Sequence, residues 1–116
     1  MENLNGKVFL SVPQENTLDF LNDSIFHYSQ DQKIVTATFY SKSICYGELV
    51  GLENETGILH VIFNFFCTDS TFHSGTCEFY ESRVADCYRL CGHITIAEKI
   101  QKPKGILLQE ISTVAK

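Results

Sequence analysis

Apolar and polar positions alternate along most of this chain, and the alternation is clearest from Ile34 to Phe66. That stretch reads as three strand-like runs, IVTATFY, ICYGELVGL and ILHVIFNFF, joined by the polar turns SKS and ENETG. Alternation of period two, rich in β-branched and aromatic residues, is the mark of a half-buried strand. In the first run it sets Val35, Ala37 and Phe39 on one side against Ile34, Thr36, Thr38 and Tyr40. The second sets Ile44, Tyr46, Glu48, Val50 and Leu52 against Cys45, Gly47, Leu49 and Gly51. The third, Ile58 to Cys67, points Leu59, Val61, Phe63 and Phe65 inward, which leaves Ile62 and Phe66 to be covered by another element or another subunit.

The pattern continues on both sides. Lys7 to Val12 alternates and stops at Pro13, which cannot donate to a ladder. Residues 14–23 predict a helical turn or a loop that tucks Phe20 and Leu21 over an open end of the sheet. Ser24 to Gln30 predicts a strand with Phe26 and Tyr28 on one face, turning at Asp31-Gln32 into Ile34 to Tyr40. Thr71 to Tyr80 predicts a sixth strand, and Gly47 and Gly75 inside strands predict bends or close backbone approach. Val84 to Leu90 fits either two helical turns ended by Gly92 or a strand running on through Ile94 and Ile96. The sheet edge left open here favours the strand. Lys102 to Gly105 predicts a turn and Ile106 to Ile111 a last strand. About eight strands with short connections predict an all-β fold, a single antiparallel up-and-down meander curled into a barrel or half-barrel, with residues 1–116 as one domain.

Composition narrows the function classes. A chain that is 44% hydrophobic and 12% aromatic can bury a core, so it is not a disordered segment. The net charge of −5, with Lys and Arg scattered singly, supplies no basic stripe for phosphates, so no nucleic-acid partner is expected. No apolar run is long enough for a membrane helix, and MENLNGKVFLSV lacks the charged-then-apolar pattern of a secretory leader. Five cysteines, an odd number without framework spacing, predict free thiols in a reducing, cytoplasmic setting.

The candidates for chemistry each have a plainer explanation. Cys87, Cys91 and His93 carry metal-ligand atoms, but on a strand Cys87 and Cys91 would stand about 13 Å apart at ~3.3 Å per residue; only a helix gathers them. His73 and Cys77 suggest a thiol and its base, yet the same spacing keeps them from hydrogen-bonding. Glu48, Glu78 and Glu98 could act as acid and base inside a barrel; alternation places Glu48 and Glu78 with Tyr46 and Tyr80, on a solvated outer face.

Phe26, Tyr28 and Gln30, then Ile34, Val35, Ala37 and Phe39, then Ser43, Ile44, Gly47 and Leu49 follow the pattern F-x-Y-x-Q, I-V-x-A-x-Y, S-I-x-x-G-x-L. Gly75 with Cys77 and Glu110 with Ile111 fit its later G-x-C and E-I. In these residues the chain resembles a family of small bacterial proteins often labelled N-acetylglutamate synthase, over about its first two thirds. Phe39 replaces a Tyr, and between Ala85 and Lys99 the family's acidic and Trp residues are missing. The label implies an acetyl-CoA-dependent acyltransferase. Such an enzyme of the usual kind carries a glycine-containing loop ahead of a helix for the pyrophosphate; the nearest stretch here, Arg89 to His93, has one glycine. The strand pattern is similar instead to calycin or lipocalin-like barrels.

The function expected is therefore a non-enzymatic module binding a small apolar ligand or a protein partner. Its ligand residues would be the inward aromatics Phe26, Tyr28, Phe39, Phe63 and Phe65, with no catalytic residue, metal or cofactor. The alternatives are the labelled acyltransferase and a self-associating structural protein, a homo-oligomer formed through strand 58–67.

Overall fold

The computed structural model describes residues 1–14, 21–97 and 103–111; Leu18, Phe20, Glu98 and Lys102 lie outside these. Eight strands follow in order: β1 (Val8–Val12), β2 (Ile25–Asp31), β3 (Ile34–Tyr40), β4 (Ile44–Glu53), β5 (Leu59–Cys67), β6 (Phe72–Val84), β7 (Cys87–Ile96) and β8 (Lys104–Glu110). Each pairs antiparallel with the next, and β8 returns to β1 through Phe9 opposite Glu110 and Val12 opposite Leu107. The sheet is a closed barrel of eight up-and-down strands.

The alternation read from the sequence becomes the barrel's inside and outside. Phe9, Phe26, Tyr28, Val35, Ala37, Phe39, Leu49, Leu59, Val61, Phe63 and Phe65 are buried inside. Their neighbours along each strand are exposed outward over β3, β4 and β5. One departure from strict alternation is local. A bulge between Ile44 and Tyr46 breaks the β4–β5 register. It puts both Cys45 and Tyr46 outside and turns Ile44 into the core, away from the face shared by Tyr46 and Glu48.

Turn chemistry sets the strand lengths. The β2–β3 hairpin turns at Gln32-Lys33, one residue later than expected, because Asp31 pairs with Ile34. Asn54 organises the β4–β5 turn: its Oδ1 accepts from the N–H of Thr56 (2.9 Å) and of Ile58 (3.0 Å), and Gly57 supplies the positive φ of 85° that closes it. The ambiguous segment after Tyr80 is strand, but β6 runs on to Val84 before reversing. Ala85 and Asp86 form the turn with φ of 50° and 66°. Two consecutive left-handed residues are the geometry of a type I′ hairpin, which Asn-Gly sequences ordinarily announce.

Both ends of the barrel are stoppered by leucines outside the strands. Leu21 is buried where residues 14–23 were expected to tuck over an open end, and Leu4 fills the opposite end. Leu4 is held there by its N–H donating to Gln30 Oε1 (2.8 Å). Around it the Tyr88 hydroxyl donates to Glu81 (2.8 Å), and Lys7 and Arg83 each lie 5.4 Å from the Tyr88 ring centre. Lys7 also pairs with Glu110 (3.0 Å) and Glu2 (3.3 Å).

Inside, Gly75 faces Phe63 across the β5–β6 ladder. A Cβ at this position would sit 2.1 Å from the Thr95 carbonyl oxygen and 2.9 Å from the Phe63 ring. Gly75→Ala must therefore push β7 away, and its urea midpoint is expected to fall by the equivalent of about 1–3 kcal/mol. Gly105→Ala meets nothing within 4 Å, so its midpoint should stay within ~0.5 kcal/mol of the parent. Equal midpoints for the two variants would contradict this packing.

Candidate functional site

The five aromatics expected to bind a ligand do come together, in the barrel interior. Phe26 stacks on Phe39 (4.6 Å between ring centres), Phe39 meets Phe65 edge-on (5.9 Å), and Phe63 stacks on Phe65 (6.0 Å). Tyr28 stands between Phe9 (5.2 Å) and Phe26 (6.3 Å). Only about 20 Å³ is left open among Leu21, Phe26, Phe39, Phe63, Phe79 and Ile106. That volume holds at most one water, whereas small-molecule pockets run to roughly 300–1,000 Å³. Polar atoms are stranded in the interior as well: the Tyr28 hydroxyl and the Ser11 and Ser24 Oγ atoms are buried without a hydrogen-bond partner. Burial pushes the Tyr28 phenol well above its ordinary range.

The thiol and imidazole candidates separate as strand spacing requires. Cys77 is inside, and burial raises its thiol far above the ordinary value. A thiol held neutral is a poor nucleophile. His73 packs at a tilt against Phe65 instead (5.2 Å between ring centres). Cys87, Cys91 and His93 follow one another along the outer side of β7. Among the described residues no three His, Cys, Asp or Glu side chains converge to hold a metal ion. Glu48 and Glu78 are both exposed: Glu48 accepts from the Tyr46 hydroxyl (3.2 Å), and Glu78 lies 3.3 Å from His60 Nδ1.

The outer surface of β3–β6 is more distinctive than the interior. Register places Ile34, Leu52, His60 and Glu78 in one row across four strands. The next row is Thr36, Val50, Ile62 and Thr76. Ile62 is 60% exposed, Leu52 55%, Ile34 51% and Val50 42%, so a contiguous apolar patch faces solvent. Shallow grooves of about 520 and 430 Å³ flank its centre. Strand β5 had suggested this surface through Ile62. The contributions of Ile34, Val50 and Leu52 became visible only once the register aligned them.

Burial of Cys77 and Tyr28 fixes an alkaline limit. Below the ordinary thiol value of 9.0 both folded and unfolded chains hold the Cys77 proton. Above it the unfolded chain ionises while the folded thiol stays neutral, so the unfolded state binds fewer protons and stability falls. Tyr28 adds to the loss above its ordinary value of 10.0. From neutral pH upward the urea midpoint should decline, first past 8.0 as the Met1 amine, whose proton affinity its hydrogen bond to Glu53 raises, loses its advantage, and further as Cys77 and Tyr28 contribute. In the native protein iodoacetamide should alkylate exposed Cys45 and spare Cys77 until unfolding. Early Cys77 labelling, or a midpoint that rises above pH 9.0, would contradict this burial.

Compared with known proteins, the chain matches the family model described as "Avidin-like protein" over residues 2–114. No curated protein and no solved structure matches it. The matched span takes in all eight strands of the closed barrel. The chain belongs to the avidin-like family.

Proposed function

We propose that this protein is a non-enzymatic binding module that works through the outside of its barrel, and that its partner on β3–β6 is a second copy of the same chain. The observation that carries the proposal is the contrast between a filled interior and the exposed patch that Ile34 and Leu52 form with Val50 and Ile62 of the adjoining row. Contiguous apolar surface of this kind on a soluble protein marks an interaction site. Short β-branched residues and threonines make the row flat, which suits packing against another sheet.

The polar groups of this face permit a second copy. The chain carries −5 overall, so two copies repel across most orientations. On β3–β6 the carboxylates Glu48 and Glu78 share the surface with His27 and His60. A patch bearing both donors and acceptors can meet itself around a two-fold axis. Five free cysteines suit a reducing, cytoplasmic setting for such a module. Acyltransfer lacks comparable support, since no described residue lies in an α-helix that could follow a pyrophosphate loop.

A second version places a small apolar ligand among Phe26, Tyr28, Phe39, Phe63 and Phe65, and is favoured by the unpartnered Tyr28 hydroxyl. It requires the rings to part. Native mass spectrometry separates the two: a dimer without added mass fits outer-face pairing, and a monomer carrying a reproducible extra mass fits the interior ligand. Ile62→Glu should convert the dimer to monomer in sedimentation while leaving the far-UV circular dichroism spectrum unchanged, because Ile62 is exposed on the single chain. A bare wild-type monomer at every concentration would overturn both versions.

A further inference from the structure

The segment ahead of β1 closes one mouth of the barrel without joining the sheet, which begins at Val8. Of residues 1–6 only Leu4 is fully buried, with Met1 packed partly against the core. The remaining holds on the segment are polar and sit at the rim. Towards β2, Leu4 N–H donates to Gln30 Oε1 (2.8 Å), Asn5 Oδ1 accepts from Gln30 N–H (3.0 Å), and Gly6 N–H donates to the Tyr28 carbonyl (2.9 Å). Towards β4 and β6, the Met1 ammonium lies 3.2 Å from Glu53 and 3.6 Å from Glu81. Glu2 N–H donates to Glu81 (3.2 Å), and the Glu2 carboxylate pairs with Arg83 and with Lys7. Rim ion pairs of this kind are individually weak.

Two further features make this a hinged closure. Gly6 stands between the segment and the strand with a φ of 81°, a left-handed conformation that glycine enters and leaves at little cost. Tyr28 points inward two residues before Gln30 on β2, and its hydroxyl is buried with no partner. Closure therefore strands a polar group, and that penalty works against the burial of Leu4. We infer that residues 1–6 form a strap that swings off the mouth as one unit about Gly6 while the eight strands stay paired, and that the open mouth is the route by which water or a solute reaches Tyr28. The strap would give the interior-ligand version of the proposed function its entrance. It stands apart from that version, since an empty interior in mass spectrometry leaves the exchange pattern below unchanged.

Native-state hydrogen exchange of the full chain, followed by NMR across a series of low urea concentrations, is the test. The amides of Leu4, Gly6, Lys7 and Gln30 should exchange through one common opening that barely responds to urea, because little surface is exposed. The Tyr28 amide, which donates to the Lys7 carbonyl (2.9 Å), should instead follow the core amides and speed up steeply with urea. Leu4→Ala should speed the four strap amides by one shared factor of tenfold or more. Leu4→Asp, which disfavours the closed strap, should let a dissolved nitroxide broaden the Tyr28 ring signals while those of Phe63 stay sharp. A gradient of exchange from Met1 inward that spares Gln30 is ordinary fraying and would overturn the strap. So would four amides that exchange only with the core, or a Tyr28 ring that stays shielded in folded Leu4→Asp.

Discussion

Closure of the sheet between β1 and β8 is the constraint on which the rest of this molecule depends. An open sheet can relieve crowding by splaying at an edge; a closed one encloses a fixed volume that its inward side chains must fill. Large rings therefore need small partners directly opposite. Gly47 faces both Phe39 and Phe65, and a Cβ there would lie 2.3 Å from the Phe39 ring. Gly92 stands opposite Phe79 in the same way. These glycines are clearance for aromatic rings, and the interior they permit is nearly solid.

The interior leaves room for no more than a water. Leu4 and Leu21 seal the two ends, and the polar chemistry gathers around the rim near Tyr88 or on the outer surface. Two outer regions then differ in character. Over β3–β6 the side chains are apolar or short and uncharged at the centre, suited to a broad flat partner. Around Arg89 and His93 the surface is concave.

Much of the fold was legible because barrel strands obey a two-residue period, and Val35-Ala37-Phe39 or Val61-Phe63-Phe65 cannot satisfy it any other way. The exceptions have local causes. The bulge at Ile44 shifts a side chain by one position and leaves no trace in hydropathy. The Ala85-Asp86 turn lacks the Gly or Asn that would announce two left-handed residues, so β6 seemed to stop at Tyr80. The expected aromatic cluster formed, yet ring number alone could not tell a packed core from a pocket; that depends on volumes set by register.

The ladder from Gly75 opposite Ile96 to Val84 opposite Cys87 springs from a two-residue turn, whereas Phe9 meets Glu110 only across almost the whole chain. Loop-closure entropy makes the first pairing cheap and the second late. In the nascent protein the β6–β7 hairpin can zip as soon as Ile96 emerges, while β1 waits with an unpaired edge until β8 is synthesised. During that interval β1, from Val8 to Val12, presents an unpaired strand edge. The brevity of β1, five residues ended by Pro13, then limits how far a wrong neighbour can extend along it.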